Sequence, residues 1–281
     1  MIMKKIILNQ WLVIAVGSLL FSSCYKKFDP KSYAPPLSIG GFTSSKEISP
    51  ANLVGYWSFD GSYIDSVSGN AGTGTNTSFT AGFKGQAMQG GNNAYVLFTP
   101  GAAITGMTSF TITCWVNTPV NTAGIAGLVN LSNTSNFWGN IDMFFENGST
   151  LDAAKFRGHI TNNGSSPEHW ISKDGIPNVF TKWTNIAISL DGAANRFKLY
   201  VNGSVIVNEV DAGFGTLHFT NSGKLVFGTV QFQTTPSLTS SHGSEPWASF
   251  MTGQMDEVRI YNKALSDAEV NALVLLEGRG K

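Results

Sequence analysis

Gly253-Gln254-Met255-Asp256-Glu257-Val258-Arg259-Ile260-Tyr261-Asn262-Lys263-Ala264-Leu265-Ser266 carries a strand and a helix start back to back. Asp256, Val258 and Ile260 share one parity, and Glu257, Arg259 and Tyr261 the other, so this run predicts a strand with Val258 and Ile260 on the core side. Ser266-Asp267-Ala268-Glu269 then forms a capping box ahead of Val270, Leu273 and Val274, which predicts a short C-terminal helix. Upstream the same alternation recurs in short pieces. Val54 to Phe59 ends at Asp60-Gly61, and Phe110 to Val116 places Phe110, Ile112, Cys114 and Val116 on one face. Trp183 to Leu190 and Arg196 to Val201 flank a five-residue loop, and Asn202-Gly203 returns the chain along Ser204 to Val210. Leu225 to Phe232 adds another strand. Many short strands with polar turns predict an all-β, two-sheet antiparallel sandwich closed by one short helix.

Composition agrees and narrows the function. The chain has 281 residues with 42% hydrophobic and only 13% charged, and Lys plus Arg equal Asp plus Glu at 18 each. The hydrophobic fraction supports a large core. Lys4, Lys5, Lys26 and Lys27 cluster at the N-terminus, no basic stripe remains to follow phosphates, and nucleic acid is disfavoured as a partner. Two cysteines make neither a disulfide framework nor a thiolate zinc site.

The N-terminal segment reads as an address. A charged start, an apolar run from Trp11 to Phe21 and Ser22-Ser23-Cys24 describe a secretory signal over residues 1–23. Cys24 after two serines resembles a bacterial lipobox, with Phe21 at the place usually held by an aliphatic residue; the alternative is an ordinary cleaved signal with a chance cysteine. Lipid on Cys24 would make the membrane a partner and the cell envelope the location, as an outer-membrane lipoprotein. Residues 24–50, with Pro35-Pro36 and Gly40-Gly41, read as an extended tether. The globular domain is expected over 51–276, with 277–281 as a tail. Cys114, left without a partner, reads as a small buried hydrophobe.

Seven stretches in order carry a family resemblance: Tyr56 to Gly61, Asp65 to Asn70, Gly82-Phe83-Lys84-Gly85-Gln86-Ala87, Ser109 to Val116, Trp183 to Ala187, Leu199 to Gly203, and the opening segment above. Over about residues 51–276 the chain resembles the laminin G-like branch of the concanavalin A-like lectin/glucanase superfamily. The resemblance implies a jelly-roll sandwich whose first and last strands lie together, often with bound calcium. It implies no single activity. The tether-plus-lectin layout is similar to glycan-capture lipoproteins of Bacteroidetes-type envelopes.

Candidate chemistry follows from residue type. If the end strands meet, Asp60 and Asp256 come together, and hard carboxylates suit a structural calcium ion; the alternative is that each caps a turn. Asp65 is expected to bond its own turn. Trp138, Trp170 and Trp247 sit in polar, turn-rich surroundings and are candidate stacking platforms for sugar rings, the alternative being plugs at the sandwich ends. Lys155, Arg157 and His159 share one strand face, so Arg157 and His159 are candidate partners for sugar hydroxyls. His169 is a weaker candidate, and His218 and His242 read as surface residues. No Glu-x-Asp-x-Glu run, Gly-x-Ser-x-Gly, His-Glu-x-x-His or P-loop occurs, and Glu168 and Glu245 stand as isolated acids. The expectation is a non-catalytic carbohydrate binder. A protein-binding adhesion or scaffold module with envelope partners is the alternative, and a cryptic glycoside hydrolase or lyase a further one.

Overall fold

The computed structural model describes residues Ser38–Lys281. Residues 1–37, including the signal segment and Cys24, lie outside that range. The strands β1 (Leu53–Trp57), β2 (Thr73–Thr75), β3 (Ser78–Ala81), β4 (Gln86–Gln89) and β5 (Tyr95–Phe98) precede one helical turn, α1 (Ala102–Thr105). Five longer strands follow: β6 (Phe110–Asn117), β7 (Ile125–Asn133), β8 (Ile141–Phe145), β9 (Ala154–Thr161) and β10 (Glu168–Ile176). The chain then forms β11 (Thr184–Asp191), β12 (Arg196–Val201), β13 (Ser204–Val210), β14 (Ser222–Phe227), β15 (Ala248–Ser249) and β16 (Gln254–Tyr261), and ends in α2 (Asp267–Glu277). No helix among the described residues is long and apolar enough to cross a membrane.

The strands form two eight-stranded sheets. The first runs β13-β12-β11-β6-β16-β4-β3, with β1 also on β16; the second runs β10-β9-β8-β7-β14-β5-β2, with β15 also on β7. All pairings are antiparallel except β15 with β7. The end strands meet directly, with Tyr56 opposite Arg259 and Trp57 opposite Val258. Between the sheets lies the main core, holding the alternate β6 residues Phe110, Ile112, Cys114 and Val116. Burial pushes the Cys114 thiol up to about 12, so it stays protonated and apolar in character. Asn202 and Gly203 both take positive φ, 49° and 78°, as the tight β12–β13 turn requires.

Two expectations are corrected. In β16 the alternation breaks: Asp256 pairs with Trp115 but Arg259 pairs with Thr113, three steps against two, and Glu257 has φ 48°. One extra residue bulges there and reverses the parity. Met255, Val258 and Ile260 therefore face the core, while Asp256 shares the outer face with Trp115. That outer face is not open to solvent either. Glu257, Arg259 and Tyr261 are buried, because α2 lies over them. Arg259 Nη2 donates to Glu257 Oε2 at 2.9 Å and Nε donates to Glu277 Oε1 at 2.7 Å. Trp115 Nε1 donates to Glu277 Oε2 at 2.7 Å, Tyr56 Oη donates to Glu257, and the Arg259 guanidinium sits 4.0 Å from the Tyr56 ring centre.

The expected tether ends early. Ile48, with Ile39 and Phe42 beside it, packs on the α2 residues Val270, Ala272, Leu273 and Leu276. Ser45 Oγ donates to the Lys281 carbonyl at 2.6 Å, and Ser49 Oγ donates to Glu269 Oε1 at 2.7 Å. Three apolar side chains in a polar stretch find a partner on the helix, so residues 38–50 of the expected tether and the expected tail, Glu277 to Lys281, pack as part of the domain.

Candidate functional site

The site is built on the outer face of the second sheet. In β9, Ala154, Phe156 and Ile160 turn to the core, which leaves Lys155, Arg157 and His159 on the other face, as their parity predicts. Register then sets a row across four strands: Asn130 of β7 opposite Asp142 of β8, Asp142 opposite His159 of β9, and His159 opposite Trp170 of β10. The His159 and Trp170 rings lie 4.2 Å apart at 29°.

The β7–β8 loop folds Trp138 over this row. Its ring is parallel to Phe144 at 5.4 Å, edge-on to Trp170 at 5.4 Å and 5.8 Å from His159. Trp247, 38% exposed, stands 6.1 Å from Trp138 and 5.5 Å from Phe232. The three tryptophans thus come together from a loop, a strand and the approach to β15. They tile the sheet face with Phe137, Phe144 and Phe232 rather than plugging the ends of the sandwich.

Polar pegs fix the loop that carries Trp138. Asn133 Oδ1 accepts the N–H groups of Ser135 and Asn136 at 3.0 and 3.1 Å, and Gln231 Nε2 donates to the carbonyls of Asn136 and Phe137 at 2.7 and 2.8 Å. Asn136 Nδ2 donates to the Gly164 carbonyl and ties this loop to the β9–β10 loop. These bonds hold the loop so that Trp138 lies against Phe144 and Trp170.

His159 is fully buried and anchored at both ring nitrogens. Nδ1 lies 3.0 Å from Asp142 Oδ2 and Nε2 lies 2.9 Å from Glu168 Oε2. Asp142, itself fully buried, also accepts from Asn130 Nδ2 and the Gly139 N–H. His159 therefore has no free nitrogen, and its part is to position Glu168 and Trp170. Arg157 is likewise engaged: Nη1 donates to Asp174 Oδ1 at 2.7 Å and to the Phe156 carbonyl at 2.9 Å, and Nε lies 3.7 Å from Glu146. The Arg157 hydrogen bond and charge hold the Asp174 carboxyl below its usual range. His169 sits apart, stacked on Phe197 at 3.8 Å.

A cavity of about 200 Å³ opens beside Trp138, lined by Asn136, Phe137, His159, Thr161, Ser165 and Glu168 among others. A second, of about 450 Å³, lies on the far side of Trp247 against Asn121, Asn147 and Ser149. Sequence reading missed Asp142, Asn130, Phe137, Phe144 and Phe232, and noted Glu168 only as an isolated acid. One signal was available: Ile141-Asp142-Met143-Phe144-Phe145 is an apolar run interrupted by a single carboxylate, and a buried carboxylate demands a partner.

Asp60 and Asp256 converge on the turn Gly82–Gln86, far from these aromatics in the chain. Asp256 Oδ2 accepts the Lys84 N–H at 2.9 Å and Oδ1 the Glu257 N–H at 2.7 Å, while Asp60 Oδ1 accepts the Gln86 N–H at 2.7 Å. A Cβ at Gly82 would fall 2.6 Å from Asp256 Oδ2, and one at Gly85 would collide with Asp60 Oδ1, so two glycines make room for two carboxylates. Burial, with the Glu257 and Asp60 charges adding to it, pushes the Asp256 carboxyl up to about 7 despite the two N–H bonds. Uncompensated charge on hard oxygens is the donor chemistry a calcium ion takes. Among the described residues no group of three or more His, Cys, Asp or Glu is set to hold a metal, so an ion here would draw the rest of its shell from carbonyls and water. Asp65 stays with its own turn, accepting from the N–H groups of Tyr56, Val67 and Ser68.

Comparison with known proteins bears on this arrangement. The Laminin_G_3 family, described as the concanavalin A-like lectin/glucanases superfamily, matches residues 90–271. No curated protein matches. Among solved structures, the binding domain of Paraclostridial Mosquitocidal Protein 1 is similar at TM-score 0.58 and 17% identity, covering 80% of this chain and 52% of that one. Domain 4 of AbnA, a GH43 extracellular arabinanase from Geobacillus stearothermophilus solved with arabinotriose, is similar at TM-score 0.53 and 19% identity over 79% and 98% of the two chains. The binding domain of botulinum neurotoxin DC, solved with SialylT, is similar at TM-score 0.56 and 14% identity over 83% and 52%. This chain spans about half the length of the two toxin domains. At these identities the likeness establishes the fold.

Proposed function

The chain belongs to the concanavalin A-like lectin/glucanases superfamily, and from that premise we propose that it binds carbohydrate without cleaving it. The observation that carries this reading is the aromatic face, where Trp138 packs against both Trp170 and Trp247 beside a cavity large enough for a sugar ring. Sugar C–H faces stack on such planes, and Glu168, Thr161 and Ser165 supply groups that bond hydroxyls. Arabinotriose bound to the AbnA domain supports the ligand class. A non-catalytic role fits the anchoring of the site: the two acids nearest the platform, Asp142 and Glu168, are both tied to one histidine.

Lipid on Cys24 would hold the module at the cell envelope, where a binder retains glycan close to the membrane. Calcium at Asp60 and Asp256 would brace the Gly82–Gln86 turn, away from the aromatic face. The test is a glycan array with the full chain beside its Trp138→Ala and Trp170→Ala variants. Retention of defined glycans by the parent, weakened about tenfold or more in both folded variants, is the expected result. Undiminished binding in both variants rejects this face as the site.

A further inference from the structure

The cavity beside Trp138 carries a charge signature that bears on which sugars enter. Its lining residues are Asn136, Phe137, Trp138, His159, Thr161, Gly164, Ser165 and Glu168. No lysine or arginine is among them. Glu168 is the exposed carboxylate of that wall, its side chain 48% accessible, and the buried His159 lies 2.9 Å away. His159 in turn has the fully buried Asp142 at its other nitrogen, so the histidine faces two carboxylates. Arg157, on the same sheet face, does not line the cavity, and its Nη1 and Nε are turned to Asp174 and Glu146.

We infer that this cavity selects uncharged sugar residues and rejects those bearing carboxylate or sulfate; the inference rests on the carbohydrate reading above and specifies its ligand. A neutral sugar donates hydroxyl protons to the Glu168 carboxylate and stacks on the Trp138 plane. A uronate, sialic acid or sulfated sugar brings a second negative charge beside Glu168 into a partly enclosed site that no lysine or arginine lines. Specificity of this kind comes from a repulsive element as much as from attraction. The effect of two like charges a few ångströms apart at a protein surface is on the order of tenfold in affinity and weakens with salt.

The experiment compares matched glycan pairs on the full chain: uncharged oligosaccharides against the same chains carrying terminal sialic acid, uronate or sulfate. Uncharged members should bind at least tenfold tighter in low salt, and Glu168→Gln should cut that ratio to threefold or less. Glutamine keeps the shape and a hydrogen bond to His159 while removing the charge, and near-ultraviolet circular dichroism reports whether the tryptophan cluster is intact. Equal or tighter binding of the acidic members overturns the inference, and so does a ratio that Glu168→Gln leaves unchanged. Failure of every glycan to bind is a different result, because it removes the carbohydrate reading itself.

Discussion

Replacing Arg259 with methionine tests the part of the fold that holds the C-terminal helix in place. The guanidinium makes two charge-assisted hydrogen bonds, 2.9 Å to Glu257 and 2.7 Å to Glu277, and lies 4.0 Å from the Tyr56 ring centre. Each such bond is worth about 1.5–3 kcal/mol and the cation–π contact about 1–2 kcal/mol, less the cost of burying the arginine, which methionine does not incur. Removing one partner from a buried ion network typically costs about 3–5 kcal/mol, because the remaining charges stay buried. Glu257 and Glu277, 1% and 2% exposed, are those charges here. Burial already pushes the Glu277 carboxyl up to about 7, against the pull of Arg259. Folded Glu277 therefore holds its proton more tightly than the unfolded chain does. Its contribution to stability is present in full below its ordinary value of 4.5 and is lost as pH rises through about 7. Without Arg259 the carboxyl moves higher still, so acid relieves the variant. Urea denaturation of a chain beginning at Ser38 should show a deficit of about 3–5 kcal/mol at pH 8 and roughly half that at pH 5.5. A deficit below about 1 kcal/mol, or one equal at the two pH values, would refute a charged, buried network.

Three further outcomes can be checked. Trp247→Ala, at the most exposed of the three tryptophans, should weaken glycan retention about tenfold with less than about 1 kcal/mol lost in urea denaturation; unchanged retention would take Trp247 out of the site. Starting the chain at Ser49 removes Ile48, whose burial is worth about 1.5–3 kcal/mol. The melting temperature should fall by about 4–8 °C relative to a start at Ser38, and an equal value would show the segment contributes nothing. Calcium added to chelator-treated protein should raise the melting temperature of the parent and not that of Asp60→Asn/Asp256→Asn; a parent that does not respond removes the ion from the proposal.

The regular parts of this fold were legible because they repeat every two residues. Phe110, Ile112, Cys114 and Val116 define one inner face on parity alone, and Asn202-Gly203 defines its hairpin by backbone chemistry. The β16 bulge was not legible, since Glu257 takes a left-handed conformation with neither glycine nor asparagine to signal it. One unsignalled residue moved Asp256 from the predicted core face to the opposite side. The candidate site was half legible. The tryptophans stood out by their polar neighbours, but their meeting depends on strand register across β7 to β10, which no local pattern encodes. Arg157 and His159 were placed on the right face, yet their engagement by Asp174, Asp142 and Glu168 is a long-range matter. The segment from Ser38 to Ser49 read as spacer because three apolar residues are too few to show a period.

The packing of Ile39, Phe42 and Ile48 on α2 gives the module a direction. Chain arriving at Ser38 joins the sandwich on the outside of the first sheet, whereas the tryptophans occupy the outside of the second. Ser38 and the tryptophan cluster are thus on opposite flanks, two β layers and a core apart. The described chain therefore begins on the flank turned away from its aromatic surface, so changes to residues 38–48 leave that surface untouched.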